Sequence, residues 1–170
     1  MIAVAALGLC LLNAQTRVPA ESYRKQALEF SKKKLWSQAI ANYRKALALE
    51  PADPDTHYNL ALALKYSGNP GAAVGEFEAA LRLKPDWPSA HFGLGAAEYE
   101  RHNQAAALRE FRAALAGDPN NAGTHYFLAV VLMDRREFVE AIAELKKTLE
   151  LRPSHSEACV ALGLCYLRAQ

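Results

Sequence analysis

Three histidines, His57, His91 and His125, recur at intervals of 34 residues, and a ladder of imidazoles suggests a metal site or a pH switch. The interval argues against both. Helices packed side by side hold equivalent residues about 9–10 Å apart, whereas ligand nitrogens must come within roughly 2 Å of one ion. The rings are therefore expected to fill a bulky packing position. His102 and His155 fall in a loop and at a helix terminus, with no partner visible. Cys159 and Cys165 sit about 9 Å apart along one helix and on different faces, so they cannot bridge each other. They read as small buried hydrophobes; no Cys pair has zinc-finger spacing. Glu98 and Glu100 lie two apart on a helix and do not face each other, so they are no acid–base pair. Lys32, Lys33 and Lys34 form the only basic run, which reads as a solvated helix end. A P-loop, G-x-G-x-x-G, H-E-x-x-H and G-x-S-x-G are all absent from the sequence. No catalytic residue, metal ligand or cofactor is assigned.

The elements that must carry these residues follow from composition and period. The chain has 170 residues, 20 basic and 18 acidic, with a formal charge of +2 and 51% apolar residues. It is too apolar for disorder and too nearly neutral for charge-driven nucleic-acid binding. Three cysteines cannot frame a disulfide scaffold. No apolar run reaches the roughly 18 residues that a membrane helix needs. Abundant alanine with few glycines and prolines favours helices joined by short turns.

Pro51, Pro85, Pro119 and Pro153 are each 34 residues from the next. Before them, in the same register, run Ala39, Ala73, Ala107 and Ala141; Tyr43, Phe77, Phe111 and Leu145; and Ala46, Ala80, Ala114 and Thr148. Such spacing places one stripe on a helix. Small alanines admit a neighbouring helix, the large residue fills the gap, and the proline ends the helix. Upstream, Leu60, Leu94, Leu128 and Leu162 are each followed by Ala or Gly, which marks another helix. The pattern predicts first helices near 20–33, 54–67, 88–101 and 122–135, and second helices near 37–50, 71–84, 105–118 and 139–152. A last helix covers about 156–169.

These columns resemble the tetratricopeptide repeat (TPR) family: a bulky residue, Leu, a small residue and an aromatic on one helix, then Ala, aromatic, Ala and Pro on the next. The resemblance implies an all-α, right-handed superhelix (α-solenoid) of antiparallel helix pairs. Its units would be 20–53, 54–87, 88–121 and 122–155, with a half repeat or capping helix at 156–170; residues 1–19, ahead of the units, read separately as a signal-like apolar segment and linker. The family's Trp position holds Tyr23, His57, His91, His125 and Cys159. Gln26 stands where Leu is expected, Glu98 where an aromatic is, and Thr148 where Ala is. Gln26 suits an outermost unit facing water; packing offers no account of Glu98.

The resemblance further implies a concave groove lined by the first helices, which would hold a protein or peptide without catalysis. Its groove positions hold Arg24, Tyr58, Leu62, Lys65, Tyr66, Phe92, Tyr99, Tyr126, Val130 and Met133. The centre is thus apolar and aromatic, suited to peptide contact. One end is basic, and the other carries Glu100, Asp134 and Glu157. The family's clamp for a C-terminal carboxylate would need Lys, Asn, Asn, Lys and Arg where Arg24, Leu28, Asn59, Ser89 and Gly93 stand, so capture of that kind is not expected.

The ends carry separate expectations. Residues 2–12 are apolar and uncharged; they suit a secretory signal cleaved after Ala14, which would make the protein exported or periplasmic. No Lys or Arg precedes the run and Leu12 is large for its place before the cut. An uncleaved membrane anchor and a docked helix of a longer solenoid are the alternatives, the last leaving the protein cytoplasmic. A lipoprotein would need a small residue where Leu9 precedes Cys10. The last helix is apolar on more than one face, a poor cap. Further repeats, a partner or a second copy bound through 156–170 would cover it. Self-association and an accessory role beside a kinase, protease or membrane segment are therefore the alternatives to groove binding.

Overall fold

The computed structural model describes residues 18–169, and all regular structure among them is helical. In chain order the helices are α1 (Ala20–Lys32), α2 (Trp36–Leu49), α3 (Pro54–Tyr66), α4 (Pro70–Leu83), α5 (Pro88–Glu100), α6 (Gln104–Gly117), α7 (Ala122–Asp134), α8 (Phe138–Leu151) and α9 (Ser156–Arg168). The apolar leader and its cleavage point lie outside the described residues.

Local chemistry sets these bounds. Pro54, Pro70 and Pro88 occupy first-turn positions, where the missing N–H has no bond to lose. Asn69, Asn103 and Asn121 accept backbone N–H bonds from Ala72, Ala106 and Thr124, the usual N-cap arrangement. The turn inside each pair uses one left-handed residue, Lys34, Gly68, His102 or Arg136. These stand at the same repeat position, and only Gly68 occupies it without crowding from a Cβ.

The described residues fall into two compact units, which divide between Ala52 and Asp53. In the first, α1 and α2 pack against each other across Ala27, Ala39, Tyr43 and Ala46, all buried. Gln26 is exposed, as expected of a residue facing water.

In the second unit the pairs α3–α4, α5–α6 and α7–α8 stack in order, and α9 packs on α8 and touches α7. The first helices α3, α5, α7 and α9 also touch their next neighbours, whereas no comparable contact joins α4, α6 and α8. A stack closer on one side than the other bends toward that side, so the first helices line the inner wall. The core explains the small residues. A Cβ on Gly93 would lie 2.5 Å from the Phe77 ring, and one on Gly95 would lie 2.9 Å from Phe111. Thr148 fits its alanine column because its hydroxyl donates to the Glu144 carbonyl at 2.9 Å, which satisfies a buried polar group. The fold is an all-α helical repeat solenoid.

Candidate functional site

The inner wall of the second unit carries nine of the ten expected groove residues; Arg24 lies on α1 in the first unit, ion-paired to Glu21 at 2.9 Å and to Glu50. On α3, Tyr58 leans on Trp87 with ring centroids 4.6 Å apart and on Phe77 at 5.8 Å. Burial pushes its hydroxyl pKa up, and Tyr66 adds to the shift. Lys65 donates to Glu100 at 3.3 Å and covers the Tyr66 ring at 4.5 Å. Leu62 is half-buried beside them. On α5, Phe92 lies 5.7 Å from Phe111 and 5.5 Å from Phe127. Tyr99 donates to Asp134 at 2.7 Å. Its hydroxyl pKa is pushed up to about 12, first by burial and then by the Asp134 bond and charge. On α7, Tyr126 lies 4.7 Å from the His155 ring.

Two hollows gather part of this set. Tyr58 and Phe92 line a cavity of about 230 Å³ with Ser89 and Asn121. Tyr126, Val130 and Met133 line a larger one of about 420 Å³, whose far wall is Val160, Ala161 and Leu164 of α9. Asp134 and Glu157 also line this second cavity. Leu62, Lys65, Tyr66 and Tyr99 line neither cavity.

Two of these four take part in a recurring bond. Lys65 reaches Glu100, and one repeat on Tyr99 reaches Asp134. Each tie spans 35 residues and fastens one first helix to the next. At the following step Met133 stands where Lys65 and Tyr99 stood, and a thioether cannot make the tie. The wall between α7 and α9 is left apolar and open, with Val160 65% and Leu164 45% exposed.

Comparison with known proteins agrees with this geometry. Family models described as TPR repeat or tetratricopeptide repeat match residues 27–68, 58–122 and 96–150. The chain belongs to the tetratricopeptide repeat family. No curated protein sequence matches it significantly. Among solved structures, a crystal structure of MamA is 25% identical over 83% of this chain and 82% of its own, with a TM-score of 0.81. MamA 41-end from Desulfovibrio magneticus RS-1 is 23% identical over 88% and 85%, with a TM-score of 0.84. YrrB, described as a TPR protein with an unusual peptide-binding site, is 24% identical over 84% and 73%, with a TM-score of 0.78. The family and these neighbours support a protein-interaction scaffold.

Within the TPR pairs several residues play parts that their spacing did not reveal. The histidines are not inert filler. His57, His91 and His125 pair through Nδ1 with Glu76, Glu110 and Glu144 at 2.6, 2.8 and 2.6 Å. His91 and His125 also place Nε2 at 3.1 and 3.0 Å from the carbonyls of Pro85 and Pro119. A half-buried imidazole has two polar nitrogens to satisfy; the glutamate contacts fasten the first helix of each pair to its second, and the carbonyl contacts hold it to the linker before it. The acidic column Glu76, Glu110, Glu144 repeats every 34 residues and was the signal to find. Glu98 is likewise explained: Arg101 and Asn103 donate to it at 3.1 and 3.2 Å across the α5–α6 turn. His155 caps α9, accepting from the Ala158 N–H at 3.4 Å, and meets Glu157 at 3.1 Å. Cys165 is buried, which raises its thiol pKa, but Cys159 is exposed, contrary to expectation. Phe127 was missed: it joins the rings of Phe92, Phe111 and Tyr126, while its column holds Asn59, Gly93 and Ala161 and gives no hint. Among the described residues, no group of His, Cys, Asp and Glu is placed to hold a metal ion, and no helix is long and apolar enough to cross a membrane.

Proposed function

We propose that this protein is a non-catalytic scaffold that holds a peptide or protein segment against the inner wall of α3, α5, α7 and α9. The observation that carries the reading is the open apolar wall between α7 and α9, where Tyr126, Val130, Val160 and Leu164 surround a cavity. A concave apolar hollow with a few polar groups at its edge is the usual form of a binding site. Tyr58, Leu62, Phe92 and Met133 extend the apolar part of the surface, while Lys65 and Tyr99 brace neighbouring first helices beneath it. A neighbour described by its peptide-binding site supports the same use of the fold. The test is capture from an extract of the native host by the full chain and by its Tyr58→Ala, Phe92→Ala, Tyr126→Ala triple variant. The reading expects capture to be lost while the helical circular-dichroism signal stays. Undiminished capture by the triple variant would contradict it.

We also propose that residues 2–12 direct export, with cleavage after Ala14. Fractionation followed by N-terminal sequencing checks this. A mature chain beginning at Gln15 outside the cytoplasm supports it, and an uncut cytoplasmic chain contradicts it.

A further inference from the structure

We infer that the cavity between α7 and α9 is a subsite for a bulky apolar side chain flanked by Lys or Arg in a partner's segment. This rests on the groove reading and adds the chemistry of the occupant. The volume of about 420 Å³ falls within the roughly 300–1,000 Å³ of ordinary ligand pockets. Its walls are Tyr126, Val130, Val160 and Leu164, so an aliphatic or aromatic group gains by entering.

The rim sets the charge. Asp134 and Glu157 line the cavity. Glu100, by contrast, is matched by Lys65, and Glu140 by Arg112. Asp134 is met by the Tyr99 hydroxyl, and Glu157 by the Ser156 hydroxyl and His155. Among the described residues no Lys or Arg nitrogen comes within ion-pairing distance of either rim carboxylate. Glu157 lies in the first turn of α9, and a bond from its own backbone N–H holds its carboxyl below the usual range, aided by Ser156. Two carboxylates without a Lys or Arg partner beside an apolar hollow attract a segment that brings the cations and repel an acidic one.

The test is a chemical-shift titration of the full chain with two synthetic peptides, Gly-Ser-Lys-Leu-Lys-Ser-Gly and Gly-Ser-Glu-Leu-Glu-Ser-Gly. The expected result is a Kd at least tenfold lower for the lysine peptide, with shifts centred on α7 and α9. That ratio should fall with added salt and drop below threefold in the D134N/E157Q variant, in which the amide at 134 can still accept the Tyr99 hydroxyl. Equal affinities, or a ratio untouched by D134N/E157Q, would overturn the inference. Shifts confined to the Tyr58–Phe92 cavity would overturn it too, yet leave the groove reading standing. No shift on any first helix, together with undiminished capture by the triple variant, would remove both. Concentration-dependent shifts in α9 without peptide, abolished by Leu164→Glu, would assign the cavity to a second copy and overturn the inference.

Discussion

Where α5 meets α4 and α6, the core of the second unit is closed around two rings. Phe77 and Phe111 are 0% exposed, pressed against helix faces that only Gly93 and Gly95 leave low enough. On α7 and α9 two other repeat columns supply Tyr126 with Val160 and Val130 with Leu164, which line an open hollow. Both regions are apolar. The step between first helices differs as well: Tyr99 ties α5 to α7 through Asp134, and Met133 offers nothing equivalent to α9. One repeat frame thus yields a packed core from one set of columns and an open surface from another.

The contrast can be broken by mutation. Phe111→Ala should cost about 3–5 kcal/mol, whereas Leu164→Ala should stay within about 0.5 kcal/mol, both read from denaturant titration by circular dichroism. Similar losses would mean that the α7–α9 wall is as packed as the core. Gly93→Ala places a methyl 2.5 Å from the Phe77 ring and should cost roughly 1–3 kcal/mol. Gly163→Ala meets nothing within 4 Å on α9 and should gain up to about 1 kcal/mol from helix propensity. Thermal melts of the two variants should therefore move in opposite directions.

Smaller effects sharpen the picture. His102 and Arg136 hold left-handed backbone with φ of 62° and 63°, so glycine at either should raise the melting temperature by less than about 1 kcal/mol of stability. Gly68→Ala, at φ 84°, should lower it. The Tyr99 tie has its own signature. Its phenol stays protonated to about pH 12 in the folded chain, against an unfolded value of about 10. Its contribution is complete below the unfolded value and fades as pH rises through the folded one. Ultraviolet titration should show late-ionising tyrosines, Tyr58 and Tyr99 among them, and Tyr99→Phe should remove the step near pH 12.

Much of the fold was legible because it is written in columns. Ala39, Ala73, Ala107 and Ala141 with the spaced prolines place the helix pairs, and every helix end lies within one residue of its expected bound. The site was less legible. Groove positions follow from repeat register, but register does not say which side chains spend their polar groups on one another. Lys65 and Tyr99 were expected to offer themselves to a partner, yet both bind the next helix. Phe127, Cys159 and Glu98 depend on the shape of particular neighbours, which no column records.

The most direct test of the account is hydrogen–deuterium exchange of the full chain with and without a peptide selected on it from a random display library. The account predicts new protection on α3, α5, α7 and α9, strongest near Val130 and Leu164. Protection confined to α4, α6 and α8 would contradict it.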